Sequence, residues 1–242
     1  MKALAILALG AAFCWANALA AQTASPSVTI TLGTRQGTAT PERQGFTHTG
    51  GGNIDVAQPS SDALVVTMTG VAVAGAHPCK NSSARLTFNL SQEFEISFEK
   101  PDVKAAKLTF EGRIIGLLRS HAKGGGAAEF CSPTIAITPE KGGQLIAVGL
   151  PARSVAGGEN LSINDHIGPM TVPITAGKYV LHQSLGVAAE HPRSLAPCKA
   201  ASAEFAPDPA LDPLWISYWE PFHGANKKDF GFQITLKVIP NG

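Results

Sequence analysis

The sequence predicts an all-β protein made of two tandem β-sandwich repeats, immunoglobulin-like or jelly-roll in type, behind a signal peptide. Short runs of β-branched and aromatic residues alternate with Gly, Pro, Asn and Ser at the spacing of strands and turns. No segment keeps a helical period, and the second half of the chain repeats motifs of the first. Regularly spaced short strands with turn residues between them are typical of β-sandwiches.

The N-terminus has the pattern of a secretory signal peptide. Lys2 supplies the positive charge, an apolar run continues to about residue 16, and Ala18, Leu19 and Ala20 form a small-residue cleavage site. We therefore predict a signal peptide over residues 1–20 and a secreted or periplasmic protein. The apolar run is too short for a membrane anchor and no later run is long enough, so no membrane span is expected.

The predicted strands share enrichment in Val, Ile, Thr and aromatic residues. They lie at residues 28–32, 63–68, 85–89, 94–98, 107–110, 134–138, 144–148, 178–181, 214–218 and 230–238. Alanine-rich residues 198–205 are the one candidate for a helical turn. The glycine runs at 48–53 and 156–160 do not continue into helices, so they predict tight loops between strands rather than phosphate loops.

An internal match indicates duplication. Residues 94–114 align without a gap on residues 214–234, so that Ile96 corresponds to Ile216, and weaker matches extend toward the N-terminal side of each copy. The glycine-rich residues 120–128 have the composition of a flexible linker.

We place the domain boundary in this linker. It divides the chain into a signal peptide (1–20), a first β-sandwich repeat (21–122) and a second repeat (123–242). A rival arrangement merges both halves into one large sandwich with a continuous core.

Charge narrows the choice of partners. The chain has 19 Lys and Arg residues against 18 Asp and Glu residues, for a net charge of +1. Binding to nucleic acid or to an anionic membrane surface would need a clustered basic field. We therefore expect no nucleic-acid partner.

The aligned strands differ on one face. Side chains alternate along a strand, so the face that carries Glu95 and Glu99 in the first copy carries two tryptophans in the second. The indoles stand about 13 Å apart along the strand, and such a pair can stack on sugar rings. The predicted ligand-binding residues are Trp215, Trp219, Glu220, Phe222 and His223.

The same tryptophans also fit a covered surface. Burying each contributes about 2–3 kcal/mol, which makes an exposed pair unfavourable without a partner. The cover would be the first domain, the 206–213 loop or a second subunit.

Cysteine and histidine positions leave several alternatives. Cys14 lies in the predicted signal peptide, which leaves Cys79, Cys131 and Cys198 as the disulfide candidates, with all three pairings open. His77 and His191 precede two of these cysteines, but the spacing is not that of zinc or blue-copper ligands. No metal site and no cofactor is predicted, and a periplasmic copper or zinc protein using His77, His191 and Cys198 is an alternative.

No catalytic residue is assigned. A nucleophile elbow, a metalloprotease H-E-x-x-H motif and a P-loop are absent from the sequence. Glu95 and Glu99, at about 13 Å, are too far apart for a glycosidase pair.

We therefore expect an exported, non-enzymatic binding or structural module whose partner is a glycan or another envelope or extracellular protein. One alternative is a secreted polysaccharide hydrolase or lyase, with Glu220 or Asp229 as candidate catalytic acids. Another is an assembly subunit, in which chains are joined through the cysteine that remains unpaired or through the tryptophan face. The sequence leaves the oligomeric state open.

Overall fold

The computed structural model describes residues 28–44, 47–75, 81–100, 105–120, 126–191, 200–204 and 231–240. These residues form strands and turns, with no helix among them. In chain order the strands are β1 (Val28–Gln44), β2 (Thr47–Ser60), β3 (Ala63–Gly75), β4 (Ser82–Phe98), β5 (Ala106–Ser120), β6 (Ala127–Pro139), β7 (Ile146–Gly149), β8 (Arg153–Ala156), β9 (Asn160–Ile174), β10 (Gly177–His191), β11 (Ala200–Glu204) and β12 (Gly231–Pro240).

The strands form two sheets packed against each other, which confirms the predicted all-β sandwich. Sheet A has the order β1-β4-β10-β6-β7, and β8 pairs with β6 beside β7. Sheet B contains β2, β3, β11, β12, β5 and β9, with β2 and β9 at its edges. Neighbouring strands are antiparallel throughout the described pairs.

Alternating apolar residues build the core. Along β4, buried and more exposed positions alternate from Ser82 to Phe98, so that Leu86, Phe88 and Leu90 face sheet B. The inner faces of the two sheets meet in one hydrophobic cluster that includes Phe130 from sheet A and Phe110 from sheet B. Because side chains alternate between faces, this packing also fixes which residues of each sheet point outward.

Both halves of the sequence contribute to each sheet. β4, from the first half, pairs with β10, from the second, and β12 pairs with β3 and β5. One core cluster includes strands from both halves, as in the merged arrangement. The tandem repeat is not confirmed, and the boundary between residues 122 and 123 stays a prediction from the sequence.

The predicted helical turn at residues 198–205 is wrong where the structure describes it. Ala200–Glu204 forms strand β11, which pairs with β3 on one side and β5 on the other. Alanine favours helix in isolation, but hydrogen-bonded neighbours on both sides override so small a preference.

The two glycine runs differ from each other. The first lies inside β2, with an irregularity in the register between Thr49 and Gly52, so the predicted loop at 48–53 is wrong. The second forms the predicted turn between β8 and β9, where Gly157 and Gly158 adopt positive φ angles of 66° and 99°. Such angles are easily reached by glycine alone.

Strands β11 and β12 occupy a single strand position of sheet B, one after the other. β11 lies between residues 71–75 of β3 and 117–120 of β5, and β12 continues in the same direction between the remaining parts of both strands. β11 therefore ends at Glu204 and β12 begins at Gly231, both in the middle of sheet B.

Polar contacts join the sheets along both sides of the sandwich. On one side Arg35 Nη2 donates a hydrogen bond to the Ile54 carbonyl (2.5 Å), and Gln58 Nε2 donates to the Ile30 carbonyl (2.5 Å). On the other side Arg153 of β8 forms an ion pair with Asp165 of β9 at 3.2 Å. These contacts give edge strands partners that an isolated sheet would lack.

Candidate functional site

The outer face of sheet A carries a continuous array of small polar side chains. Cross-strand pairing aligns them in rows that run over β1, β4, β10 and β6. One row contains Thr38, Asn89, Ser184 and Thr134, and the next contains Gln36, Ser91, His182 and Ala136.

A depression of about 510 Å³ lies over these two rows. The described residues that line it include no lysine, arginine, aspartate or glutamate. Asn89 and His182 are exposed, and Ser91 is half-buried. Amides, hydroxyls and imidazoles each offer donor and acceptor atoms, so this surface can form hydrogen bonds of both senses with a neutral ligand.

Part of this array is already held in place. The hydroxyl groups of Thr134 and Ser184 are 2.6 Å apart across β6 and β10. Next to this pair, the pairing of β6 with β10 is irregular: the register shifts between Ser184 and Gly186 of β10. Pro133, within the shifted stretch, has no backbone N–H to contribute to the ladder.

A second depression, of about 370 Å³, adjoins the first on the same face. Its lining includes charged side chains, and its outward residues are Thr31, Thr34, Glu93, Glu95, Glu140, Lys178 and the apolar Val180. The two depressions are neighbours because Ser91 and Glu93 are successive outward positions on β4. Together they form a strip along the outer face of sheet A.

The position of Glu93 depends on a local irregularity in β1. The register shifts between Leu32 and Arg35, opposite Glu93. A Cβ atom added to Gly33 would lie 3.0 Å from the Cβ of Glu93, so glycine allows this close approach. The Thr34 backbone N–H then donates to Glu93 Oε2 at 3.2 Å, which orients this carboxylate.

Cys131 lies on the same face, next to the first depression. Its neighbour across the strands is Gly186, and a Cβ added to that glycine would lie 3.3 Å from the Cys131 Sγ. Burial raises the pKa of the Cys131 thiol, and the charge of Glu129 raises it further, while Arg85 acts in the opposite direction. The thiol is free within the described structure, and Cys79 and Cys198 lie outside the described residues.

Gln183 is an unusual buried residue of β10. It also lines the first depression, but the alternation along β10 places it on the core side, with 2% exposure. Among the described residues, its side-chain nitrogen and oxygen have no hydrogen-bond partner. Most buried polar groups are paired, so a buried amide without a described partner is unusual.

The structure bears on the sequence-predicted site only through the matching strand of the first half. Trp215, Trp219, Glu220, Phe222 and His223 all lie outside the described residues. The matching strand in the first half does have the predicted faces, since Phe94 and Ile96 are buried and Glu95 is exposed. Glu95 lines the second depression, which the sequence did not predict.

The metal alternative rests on residues that are mostly undescribed. His77 and Cys198 lie outside the described ranges, and His191 is buried in β10. Over the part of the chain that the structure describes, no group of three His, Cys, Asp or Glu side chains is arranged to hold a metal ion.

Comparisons with known proteins identify no family. The chain matches no protein-family signature and no curated protein sequence. Among the residues with described structure, no helix is long and apolar enough to cross a bilayer.

Proposed function

We propose that this protein is a glycan-binding module and that the polar strip on the outer face of sheet A holds the sugar. The supporting observation is the 510 Å³ depression lined by neutral amide, hydroxyl and imidazole groups. Sugar hydroxyls both donate and accept hydrogen bonds, so these side chains complement them. An anionic ligand would favour arginine or lysine there, and an apolar ligand would favour aromatic or aliphatic walls.

The shape of the strip favours a chain rather than a single sugar. The depression is open and continues into its neighbour along β4 and β10. Each hydrogen bond in a wet site contributes only about 0.5–1.5 kcal/mol, because it replaces a bond to water. Several sugar units bound side by side are therefore needed for useful affinity.

Retention by polysaccharide tests this proposal. The purified protein is run through gels that contain dextran, soluble starch or xylan, and retardation is measured. Asn89→Ala and His182→Ala are expected to weaken binding about two- to tenfold each, as loss of one hydrogen bond predicts.

The chain offers matched control variants. Asn164 and His166 are exposed residues of β9, on sheet B, so Asn164→Ala and His166→Ala should leave retention unchanged. If no polysaccharide retards the protein, the glycan proposal is wrong. If all four variants lose binding equally, the sugar does not sit on sheet A, and Trp215→Ala becomes the next test.

A second candidate function is hydrolysis of a bound polysaccharide. Glu93 and Glu95 are outward neighbours on β4, about 7 Å apart between Cα atoms, and both line the second depression. Glycosidases separate their two carboxyl groups by about 5–9.5 Å. This arrangement favours Glu93 and Glu95 over the more widely spaced Glu95 and Glu99.

Release of reducing ends separates the two functions. A hydrolase would lose turnover in Glu93→Gln and Glu95→Gln while still binding the polymer, whereas Glu111→Gln on the outer face of sheet B would have no effect. Binding without turnover of any tested polymer would leave the binding module as the function.

A further inference from the structure

Sheet B has an apolar patch on its outer face. We define this outer patch as Val71, Val73, Ile115 and Leu117. Alternation along β3 and β5 directs these side chains away from sheet A, since their chain neighbours Ala72 and Leu118 belong to the core. Yet Val73 is only 2% exposed and Leu117 only 5%.

Burial on this face is local. Farther along β5, the outward residues Glu111 and Arg113 are exposed, and on β12 outward Ile239 is 45% exposed. Among the described outward residues of sheet B, Val73 and Leu117 are the large apolar side chains with the lowest exposure, and half-buried Val71 and Ile115 lie beside them at the gap between β11 and β12. Such burial requires chain lying over the face, because the sheet itself covers only the edges of an outward side chain.

The connections of the sandwich favour one internal segment as that chain. Residues 45–46, 76–80, 101–104, 121–125 and 192–199 each join a strand of one sheet to a strand of the other. Among the internal segments outside the described residues, only 205–230 connects two strands of the same sheet, β11 and β12. This segment starts after Glu204, which pairs with Val71 and Leu117, and ends before Gly231, which pairs with Ile115.

The inner side of sheet B has no room for this segment. Met68, Phe110 and Phe232 are fully buried against sheet A. Residues 205–230 also contain both tryptophans of the predicted sugar platform and further aromatic residues, which favour an apolar surface. We propose that residues 205–230 dock on the outer patch, seating Trp215 and Trp219 against the outer face of sheet B.

The consequence concerns ligand binding. Docked tryptophans are a structural part of sheet B and are not available as a sugar platform. The glycan strip on sheet A lies on the opposite side of the sandwich, so the two surfaces act separately.

Tryptophan fluorescence tests the docking. In the chain carrying Trp15→Phe, Trp215 and Trp219 are the only tryptophans. Their emission is expected to be blue-shifted and protected from acrylamide. Leu117→Asp, which places a charge in the patch, should shift the emission to the red and increase quenching severalfold.

Ile239→Asp is the matched control, because it introduces the same charge at an exposed apolar position of the same face. It should leave the emission unchanged. Where Leu117→Asp does not fold, as judged by circular dichroism, the milder Ile115→Ser takes its place, with a smaller red shift expected.

Two outcomes would overturn the proposal. Water-exposed emission in the Trp15→Phe protein would show that the indoles are uncovered. Protected emission that neither patch variant changes would place the tryptophans elsewhere, and a dependence on protein concentration would then identify a second copy as the cover. Neither outcome depends on whether sheet A binds glycan.

Discussion

At the scale of single residues, close approach between the sheets depends on glycine at two facing positions. Gly52 and Gly70 pair across β2 and β3, and the Phe88 ring of sheet A packs on them. A Cβ added to Gly70 would lie 2.5 Å from Leu86 Cδ2 and 2.7 Å from Phe88 Cζ. These distances leave no space for a methyl group in the packed core.

We therefore expect Gly70→Ala to destabilise the protein by about 1–3 kcal/mol through overpacking. Urea denaturation monitored by circular dichroism measures the change. Gly143→Ala is the control, because a Cβ there would meet nothing within 4 Å. Equal stability of the two variants would mean that the sheets are not packed as closely as Phe88 indicates.

The buried amide of Gln183 gives a prediction of opposite sign. Because its nitrogen and oxygen have no partner among the described residues, Gln183→Met should stabilise the protein by about 1 kcal/mol. Thermal or urea unfolding measures this change.

Gln92 provides the matched control for Gln183. It is equally buried, but its Nε2 donates to the Glu93 carbonyl at 2.7 Å, so Gln92→Met should destabilise. A loss of stability in Gln183→Met as well would show that its amide holds a bound group, such as an internal water.

The Cys131 thiol gives a pH-dependent prediction. Because burial and Glu129 raise its pKa, it should react more slowly with a thiol reagent at pH 8 than free cysteine does. Glu129→Gln should speed the reaction by lowering the pKa, and Arg85→Gln should slow it by removing a favourable positive charge. Mass spectrometry of the labelled peptide identifies the site, and identical rates in both variants would contradict the assignment.

The same raised pKa has a defined effect on folding. The folded state holds the Cys131 proton more tightly than the unfolded chain does. This contribution to stability is complete below the pKa of the unfolded thiol and is lost as the pH rises through the pKa of the folded one.

At the scale of elements, one end of sheet B favours one of the three possible cysteine pairings. Gly75 and Ala200 are neighbours across β3 and β11. Cys79 follows the first by four positions and Cys198 precedes the second by two, so short connectors can bring them to the Cα separation of about 4.4–6.8 Å that a disulfide needs. Cys131 is on the outer face of sheet A.

We therefore predict a Cys79–Cys198 disulfide beside a free Cys131. Non-reducing peptide mapping of protein exported to an oxidising compartment measures the pairing. Recovery of a bridge that contains Cys131 would contradict this prediction. The sequence left all three pairings open because it does not reveal which strand ends meet.

At the scale of the whole molecule, the sequence predicts those features that the alternation of side chains along a single strand determines. The two faces of β4 follow directly from its pattern, and most of the predicted runs lie inside observed strands. β9 was missed because edge position and prolines such as Pro169 and Pro173 weaken the strand pattern. Pairing on one side by β5 is nevertheless enough to hold it in sheet B.

The candidate site was beyond prediction for a different reason. Asn89 and Glu95 belong to two separate predicted strands, 85–89 and 94–98, and Ser91 and Glu93 lie between them, whereas the structure has one continuous strand β4. The strip exists because β1 and β10 flank β4, and β10 lies far along the chain. No local pattern specifies that His182 stands beside Ser91.

The shared sheets lead to a prediction for unfolding. β4 pairs with β10 and β12 lies between β3 and β5, so neither half of the sequence has a complete sheet without the other. We expect one cooperative transition in calorimetry, with equal calorimetric and van't Hoff enthalpies, because removing either half exposes the common core. Residues 21–122 and 123–242, expressed separately, should each fail to give a folding transition. Two resolved transitions, or a folded isolated half, would instead restore the tandem repeat, since only independent cores can unfold independently.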